Sequence, residues 1–126
     1  MTGSCYMRRK PAAFLWDVRE AALRIQEFVA GRDFAAFSSD VMVRSAVERQ
    51  FEIIGEALNQ LSRSSPAMVV EIPEAARVIA FRNILIHGYA VLDHQIVWRV
   101  VHDNLPPLLL VVERLLKAEP PTGSVP

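Results

Sequence analysis

Apolar residues recur at intervals of three and four through two long stretches of the chain, and this spacing restricts the fold more than any other feature. The first stretch runs from Pro11 to Ala30, and the second from Ser39 or Asp40 to about Ser62. Their stripes consist of Leu15, Val18, Ala22, Ile25 and Val29, and of Val43, Val47, Ile54, Leu58 and Leu61, with Phe51 and Ala57 beside the second. Strand-like alternation is almost absent, so the sequence predicts an all-α protein.

Proline, glycine and capping residues predict where the first two helices begin and end. Pro11 suits a first helical turn, because its missing N–H would have no partner there. Gly31 suits the position just after a last turn, and Ser39 or Asp40 can cap the next helix. Residues 33–39 are predicted to be a short connection.

The second half of the chain is predicted to hold further helices. One is expected from about Pro73 to His87, with Gly88 ending it, and another from its cap Asp93 to about Asn104. Pro106-Pro107 cannot continue a regular helix, so the chain should kink or restart there. A last helical segment is expected from Leu108 to Lys117.

Charge and cysteine content narrow the class of protein. Fourteen basic side chains balance fourteen acidic ones, so the molecule has no broad positive field for nucleic acid. Cys5 is the only cysteine, which excludes an intrachain disulfide and fits a reducing compartment. The longest apolar run, Leu105 to Val112, is far shorter than the ~20 residues that a membrane-spanning helix needs. We expect a cytoplasmic protein with one helical domain, residues 11–118, between disordered segments at 1–10 and 119–126.

The stretch from Phe81 to Tyr89 places polar side chains in an otherwise apolar helix. The polar residues are Arg82, Asn83, His87 and Tyr89 itself. A helix that is apolar on nearly every side is expected at the centre of its fold or in an interface. Leaving a polar group buried and unpaired costs about 1–3 kcal/mol, so these side chains need partners or a function.

Helical geometry separates these side chains onto two sides of the third helix. Asn83 and His87 lie one turn apart on one face, which continues back through the small residues Ala80 and Ala76 and should form a groove. Arg82 precedes His87 by five residues, so a regular helix sets them roughly 140° apart. Arg82 must therefore reach around the helix or serve the matching site of a second copy across a two-fold axis.

These residue types suit cleavage of an RNA backbone without a metal ion. Histidine can take or give a proton near neutral pH, and arginine can hold two phosphate oxygens. Asparagine can orient the histidine, and a tyrosine hydroxyl can bond phosphate. RNA supplies its own nucleophile, the 2′-hydroxyl, so DNA should be inert. Taken alone, however, a lone histidine on such a helix is more often a satisfied core residue, and an arginine usually pairs with a carboxylate.

The polar face of the second helix carries Arg44, Glu48, Glu52, Glu56 and Gln60. Arg44 and Glu48 attract each other one turn apart, whereas Glu52 and Glu56 repel. The repulsive pair is expected to be solvated. If instead this face lines a cleft, one of the carboxylates is expected to pair with an arginine from elsewhere.

The remaining histidines and tryptophans have simpler interpretations. His94 and His102 are eight residues apart with no third ligand at a suitable spacing, so they are expected to be surface or capping residues rather than metal ligands. Trp16 and Trp98 are expected to anchor the core or an interface.

The pattern Arg-Asn-x-x-x-His-x-Tyr, at Arg82, Asn83, His87 and Tyr89, resembles the HEPN ribonucleases. Within them it is similar to the HepT-type toxins, which are paired with a minimal nucleotidyltransferase antitoxin, MntA. The resemblance covers residues 14–116 approximately. Its other segments, in chain order, are Ala46–Arg49, Glu52–Ala57, Leu61–Ser62, Ile72–Pro73, Val91–Asp93, Ile96–Trp98 and Asp103–Pro106.

The resemblance implies an up-and-down HEPN-like bundle of four to five helices that forms a homodimer, with its site in a cleft at the dimer interface. It implies a metal-independent endoribonuclease without a cofactor, in which Arg82 and His87 are catalytic, Asn83 supports them and Tyr89 belongs to the site. The partners implied are RNA, a second copy of the chain and the antitoxin, which would silence the toxin by attaching AMP to Tyr89. An adenylate there adds bulk and negative charge where the RNA phosphate should lie.

Two departures from the family pattern concern the wall of the cleft. The family often has a tryptophan after the Ile-Pro pair and a Gly-Met pair before the Arg-Asn, where this chain has Glu74 and Ala80-Phe81. Two other functions stay open from the sequence: a non-catalytic HEPN subunit that binds a nucleotidyltransferase, and a helical interaction module without a site.

Overall fold

The computed structural model describes residues 10–87 and 93–118, and within these ranges all regular structure is helical. The all-α prediction is confirmed. The elements are α1 (Pro11–Val29), α2 (Phe34–Ser39), α3 (Val41–Ser64), α4 (Pro66–Val70), α5 (Ala75–His87), α6 (His94–Arg99) and α7 (Leu105–Ala118), with a π-helical turn at Val100–Asn104 between the last two. None of the helices described combines the length and apolar character needed to cross a bilayer.

Several predictions concern residues outside the described ranges. These are the terminal segments, apart from Lys10, together with Cys5, the predicted helix end at Gly88, and Tyr89.

Capping residues fix the ends of the first three helices. α1 starts at Pro11, and Gly31 follows it with a φ of 75°, the left-handed conformation that glycine adopts readily at helix ends. Asp33 and Asp40 cap α2 and α3: their carboxylates accept backbone N–H groups three residues later, at 2.8 and 3.1 Å. The prediction of a plain connection over residues 33–39 is wrong, because the Asp33 cap begins a short helix there.

Helix α3 is the central element of the fold. It packs against both α1 and α5, and α1 also contacts α7. The predicted stripes of α1 and α3 are buried, except for Val43, which is partly buried. The largest side chains that are fully buried are Phe37, Phe51, Leu15, Ile25, Ile54, Leu58, Leu61, Leu105 and Leu108. The two predicted amphipathic helices therefore supply much of one continuous core.

Helix α5 lies at the edge of the single chain rather than at its centre. Its buried residues are Ala75, Val78 and Phe81, and the Phe81 ring meets that of Phe51 edge-on, with centroids 5.1 Å apart. Ile84 and Ile86 are 41% and 46% exposed. The prediction of a central helix is wrong for the single chain, because α3 occupies that position. The other expectation, a helix buried in an interface, stays a prediction.

The chain restarts as a new helix at the prolines near the C-terminus, as predicted, but that helix begins at Leu105 rather than at Leu108. α7 begins at Leu105, so Pro106-Pro107 falls in its first turn, where the missing N–H groups lose no hydrogen bond. A π-helical turn connects α6 to α7. Its hydrogen bond runs from the Leu105 N–H to the carbonyl oxygen of Val100, five residues earlier. Asn104 Nδ2 donates to Glu74 Oε1 at 2.7 Å, which ties this turn to the residue before α5.

The two tryptophans occupy different environments. Trp98 is partly buried against Phe34 and Phe37, with ring centroids 6.2 and 5.2 Å away, and is the predicted anchor of the core. Trp16 is 52% exposed, and the Arg19 guanidinium carbon lies 5.2 Å from its ring centroid. A core role for Trp16 is therefore wrong for the single chain.

Candidate active site

The outward face of α5 carries two of the predicted site residues. Asn83 and His87 are exposed, and so are Ala76 and Ala80, which precede them on the same face. We term these four residues the outer strip of α5. The small alanine side chains leave open space along the helix next to Asn83 and His87, so the strip can be approached from solvent.

Arg82 lies on the other side of α5, against α3. Its side chain is only 19% exposed, and its stem crosses Gly55. A β-carbon added at Gly55 would lie 2.2 Å from Arg82 Cβ and 2.5 Å from Arg82 Cγ, which is far inside van der Waals contact. The position of Arg82 therefore depends on a glycine at residue 55.

Two side chains hold the end of the Arg82 guanidinium. Nη2 donates to Glu56 Oε1 at 2.6 Å, and Nη1 donates to Asn83 Oδ1 at 3.0 Å. The other oxygen of the carboxylate, Glu56 Oε2, accepts from Gln60 Nε2 at 2.9 Å. Asn83 thus connects Arg82, which packs on α3, with the outer strip that carries His87.

The structure therefore brings some of the predicted residues together and separates others. Arg82 and Asn83 are in direct contact, and Asn83 shares the outer strip with His87. Arg82 and His87 lie on different sides of α5, as the helical spacing predicted. Tyr89 lies outside the described residues.

The acidic residues of α3 have partners. Glu56 pairs with Arg82, and Glu52 accepts from Arg49 Nη1 at 3.2 Å. The expectation of a solvated pair is wrong for Glu56, and the alternative, a carboxylate that meets an arginine from elsewhere, is confirmed. Sequence reasoning did not include Gly55 or Glu56 in the site. The available signal was a glycine inside a long amphipathic helix, where it costs about 1 kcal/mol relative to alanine.

A second polar group lies near the start of α3. Arg44 Nη1 donates to the Ser38 carbonyl oxygen, and Ser38 Oγ hydrogen-bonds His94 Nδ1 at 3.3 Å. Burial raises the pKa of Glu48 above its ordinary value, Arg44 and His94 oppose this rise with their positive charges, and Glu52 adds to it. The hydrogen bond between Ser38 and His94 joins α2 to α6.

His102 has the surface position predicted for it. It is exposed, and its Nδ1 lies 2.9 Å from the Trp98 carbonyl oxygen. Within residues 10–87 and 93–118, no three His, Cys, Asp or Glu side chains converge on a point where they could hold a metal ion.

Comparison with known proteins adds a family to this geometry. A family model described as "Ribonuclease HepT-like" matches residues 18–115. The protein named "Probable ribonuclease HepT" from Thermococcus cleftensis is 35% identical over 113 residues, which cover 88% of this chain and 100% of that protein. "Putative RNase MJ1380" from Methanocaldococcus jannaschii is 34% identical over 106 residues, 84% of this chain and 96% of that protein. No solved structure gives a significant match.

The matched range contains α3, α5 and therefore Arg82, Asn83 and His87. Two relatives above 30% identity that are covered almost end to end are both named as ribonucleases. The expected resemblance and the expected class of enzyme are confirmed, and the chain belongs to the HepT-like ribonuclease family.

Proposed function

We propose that the chain is the toxin of a HepT-type toxin–antitoxin pair. It is a metal-independent endoribonuclease that acts as a homodimer in the cytoplasm. A nucleotidyltransferase partner silences it by transferring AMP from ATP to the Tyr89 oxygen, with release of pyrophosphate. The observation that carries the proposal is the contact between Arg82 and Asn83 at the border of the exposed strip that also carries His87. Membership of the ribonuclease family supports RNA as the substrate.

In the proposed reaction, the RNA 2′-oxygen attacks the adjacent phosphorus, and the bond from phosphorus to the 5′-oxygen breaks. The 2′-hydroxyl loses its proton and the departing 5′-oxygen gains one, which leaves a 2′,3′-cyclic phosphate and a 5′-hydroxyl. His87 transfers protons, because an imidazole can both accept and donate near neutral pH. Arg82 stabilises the charge that builds on the phosphate oxygens. Asn83 supports both residues, because it accepts a hydrogen bond from Arg82 and lies on the same face of α5 as His87.

The apolar residues beside the outer strip support a dimer formed through α5. Ile84 and Ile86 are 41% and 46% exposed, next to an exposed His87. Ile84 and Ile86 are two residues apart and so flank the strip on its two sides. A second copy of α5 packed across this helix would cover at least one of them and place two strips around one cleft. In such a dimer the Arg82 guanidinium, which reaches Asn83 at the border of the strip, could serve the His87 of either copy.

Cleavage of a labelled RNA in EDTA, with the matching DNA as control, tests the reaction. We expect RNA but not DNA to be cut. We expect His87→Ala and Arg82→Ala each to slow cleavage by about 10²–10⁴-fold while unfolding in urea is unchanged for His87→Ala. His102→Ala and Arg24→Ala are matched controls, since both residues are exposed and lie outside α5. Unaltered cleavage by His87→Ala and Arg82→Ala, or an inert parent protein, would contradict the proposal.

The mass of the protein after co-expression with a nucleotidyltransferase tests the silencing step. The chain has two tyrosines, Tyr6 and Tyr89. We expect the parent protein and Tyr6→Phe to gain the mass of at least one adenylate and lose activity. Tyr89→Phe should gain none, and its activity against RNA should be the same with and without the nucleotidyltransferase. Adenylate on Tyr6, or on neither tyrosine, would contradict this part of the proposal.

A further inference from the structure

The contact between Gly55 and Arg82 places an aliphatic stem against a backbone. Gly55 lies inside the 24-residue helix α3, where glycine is less favourable than alanine by about 1 kcal/mol. A methyl group there would overlap both Cβ and Cγ of Arg82, at 2.2 and 2.5 Å. Because residue 55 has no side chain, the aliphatic part of Arg82 packs directly on the backbone of α3. This contact limits the directions in which the guanidinium can point.

The carboxylate of the next residue fixes the guanidinium itself. Glu56 Oε1 accepts from Arg82 Nη2 at 2.6 Å, a short, charge-assisted hydrogen bond. Gln60, one turn further along α3, holds the other carboxylate oxygen at 2.9 Å. Glu56 is 45% exposed and Arg82 only 19%, so the pair lies at the border between the packed surface and solvent.

Glu56 and Asn83 leave some of the N–H donors of Arg82 available for a ligand. A guanidinium has five N–H donors. Arg82 Nε is buried and has no hydrogen-bond partner among the described residues, and Glu56 and Asn83 each take one donor from a terminal nitrogen. One N–H remains on Nη1 and one on Nη2. These two donors are available to the oxygens of a phosphate.

We propose that Glu56 is a positioning residue, which, seated beside Gly55, holds the Arg82 guanidinium in the orientation that receives the scissile phosphate. This inference rests on the proposed ribonuclease function. Glu56 also brings a negative charge close to where the phosphate binds. Its removal therefore lowers the turnover number without weakening the binding of RNA, whereas loss of a residue that merely holds RNA would raise KM.

The test compares Glu56→Ala and Glu56→Gln with Glu52→Ala. Glu52 is the matched control, because it lies one turn before Glu56 on α3 and pairs with Arg49 instead of Arg82. For Glu56→Ala we expect kcat to fall by about 10²-fold, the loss that a misplaced reacting group typically causes, with KM unchanged or lower. Glu56→Gln keeps an oxygen that accepts from the charged guanidinium but loses the attraction of the carboxylate, so kcat should fall by only about tenfold. Glu52→Ala should keep the parent values.

A second measurement reports on the guanidinium directly. The Nε–H of Arg82 is buried, so its proton should exchange slowly with water in an NMR spectrum, and Arg82→Lys identifies the signal. We expect Glu56→Ala to speed this exchange and Glu52→Ala to leave it unchanged.

The outcomes separate this inference from the function on which it rests. A parent protein that does not cut RNA overturns both. A parent that cuts RNA while Glu56→Ala retains its kcat, or raises KM alone, or matches Glu52→Ala, overturns only the positioning role. Unchanged exchange of the Arg82 signal in Glu56→Ala overturns it as well, whatever happens to the rate.

Discussion

Helices α3 and α5 pack against each other, yet they divide their side chains between core and solvent in different ways. α3 buries one continuous stripe, which includes Val47, Ile54 and Leu58, and presents paired charges on the opposite side. α5 is apolar on most of its surface but buries only Ala75, Val78 and Phe81. Its isoleucines stay exposed beside Asn83 and His87.

The contact between α3 and α5 divides α5 into an inner side that contributes to stability and an outer side that is open to solvent. α3 is in contact with α1 on its other packed surface, so its position is determined by the core. α5 packs on α3 through one side and leaves its outer strip exposed. Substitutions at the inner face of α5 should therefore unfold the protein, and those at the outer face should change binding or catalysis.

The largest effect on stability is expected at the inner face. Phe81→Ala removes a buried ring that meets Phe51 edge-on at 5.1 Å, and should lower the free energy of unfolding by about 3–5 kcal/mol. Urea unfolding at a concentration where the chain is monomeric measures it. Ile86→Ala, on the exposed side of the same helix, should change stability by no more than about 0.5 kcal/mol. Equal losses of unfolding free energy in Phe81→Ala and Ile86→Ala would show that the inner and outer faces of α5 contribute equally to stability.

The next largest effect on the free energy of unfolding is expected at the contact between Gly55 and Arg82. Glycine to alanine inside a helix normally stabilises by about 1 kcal/mol. At Gly55 the added methyl meets Arg82 Cβ at 2.2 Å, so a backbone must move, and we expect a net loss of about 1–3 kcal/mol. The difference between Ser45→Gly and Ser45→Ala, at an exposed position of α3, gives the effect of propensity alone on the same helix. A more stable Gly55→Ala protein would show that α5 can retreat from α3 without cost.

A smaller effect is expected for assembly. Replacing Ile84 and Ile86 together by serine should raise the dissociation constant of the proposed dimer by at least about tenfold, or 1.4 kcal/mol, because at least one of the two side chains would be buried there. Sedimentation over a range of concentrations measures this. Leu110→Ser is the control, since Leu110 is 71% exposed on α7. If Leu110→Ser separates the dimer and the isoleucine variant does not, the interface lies elsewhere.

The contrast between α3 and α5 also shows how far sequence reasoning could reach. The stripes of α1 and α3 determined their helices, because one apolar face and one charged face leave a single way to bury the residues. For α5 the pattern gave a helix but not its buried side, since an apolar helix offers several faces and the neighbouring helix selects one. The short helix α2 was missed because a few residues after an Asp33 cap carry no periodicity.

For the site, spacing along the helix placed Asn83 and His87 on one face and Arg82 on another. Spacing could not identify the partner of Arg82, because Glu56 is 26 residues away in the chain and on a different helix. Only the packing of α5 on α3, which Gly55 permits, brings the two charges together. Glycine inside an amphipathic helix is the kind of local exception that marks such a contact.

The smallest expected effect tests the charged side of α3 away from Arg82. Burial raises the pKa of Glu48, against the opposing charges of Arg44 and His94 and with the help of Glu52. A carboxyl group whose pKa is higher in the folded than in the unfolded protein favours folding while it is protonated, below the unfolded value. That advantage is lost as the pH rises through the folded value.

Glu48→Gln imitates the protonated form at every pH, so the stability of the variant relative to the parent should increase from about pH 4, near the ordinary carboxyl pKa, and then level off. Urea unfolding of both proteins between about pH 3.5 and 6 measures this difference. Glu27→Gln, at an exposed position of α1, corrects for the loss of one negative charge in general. A difference that shrinks with rising pH would mean that Arg44 and His94 outweigh burial. The start of α3 would then hold a stabilised ion cluster, similar in kind to the Glu56–Arg82 pair at its other half.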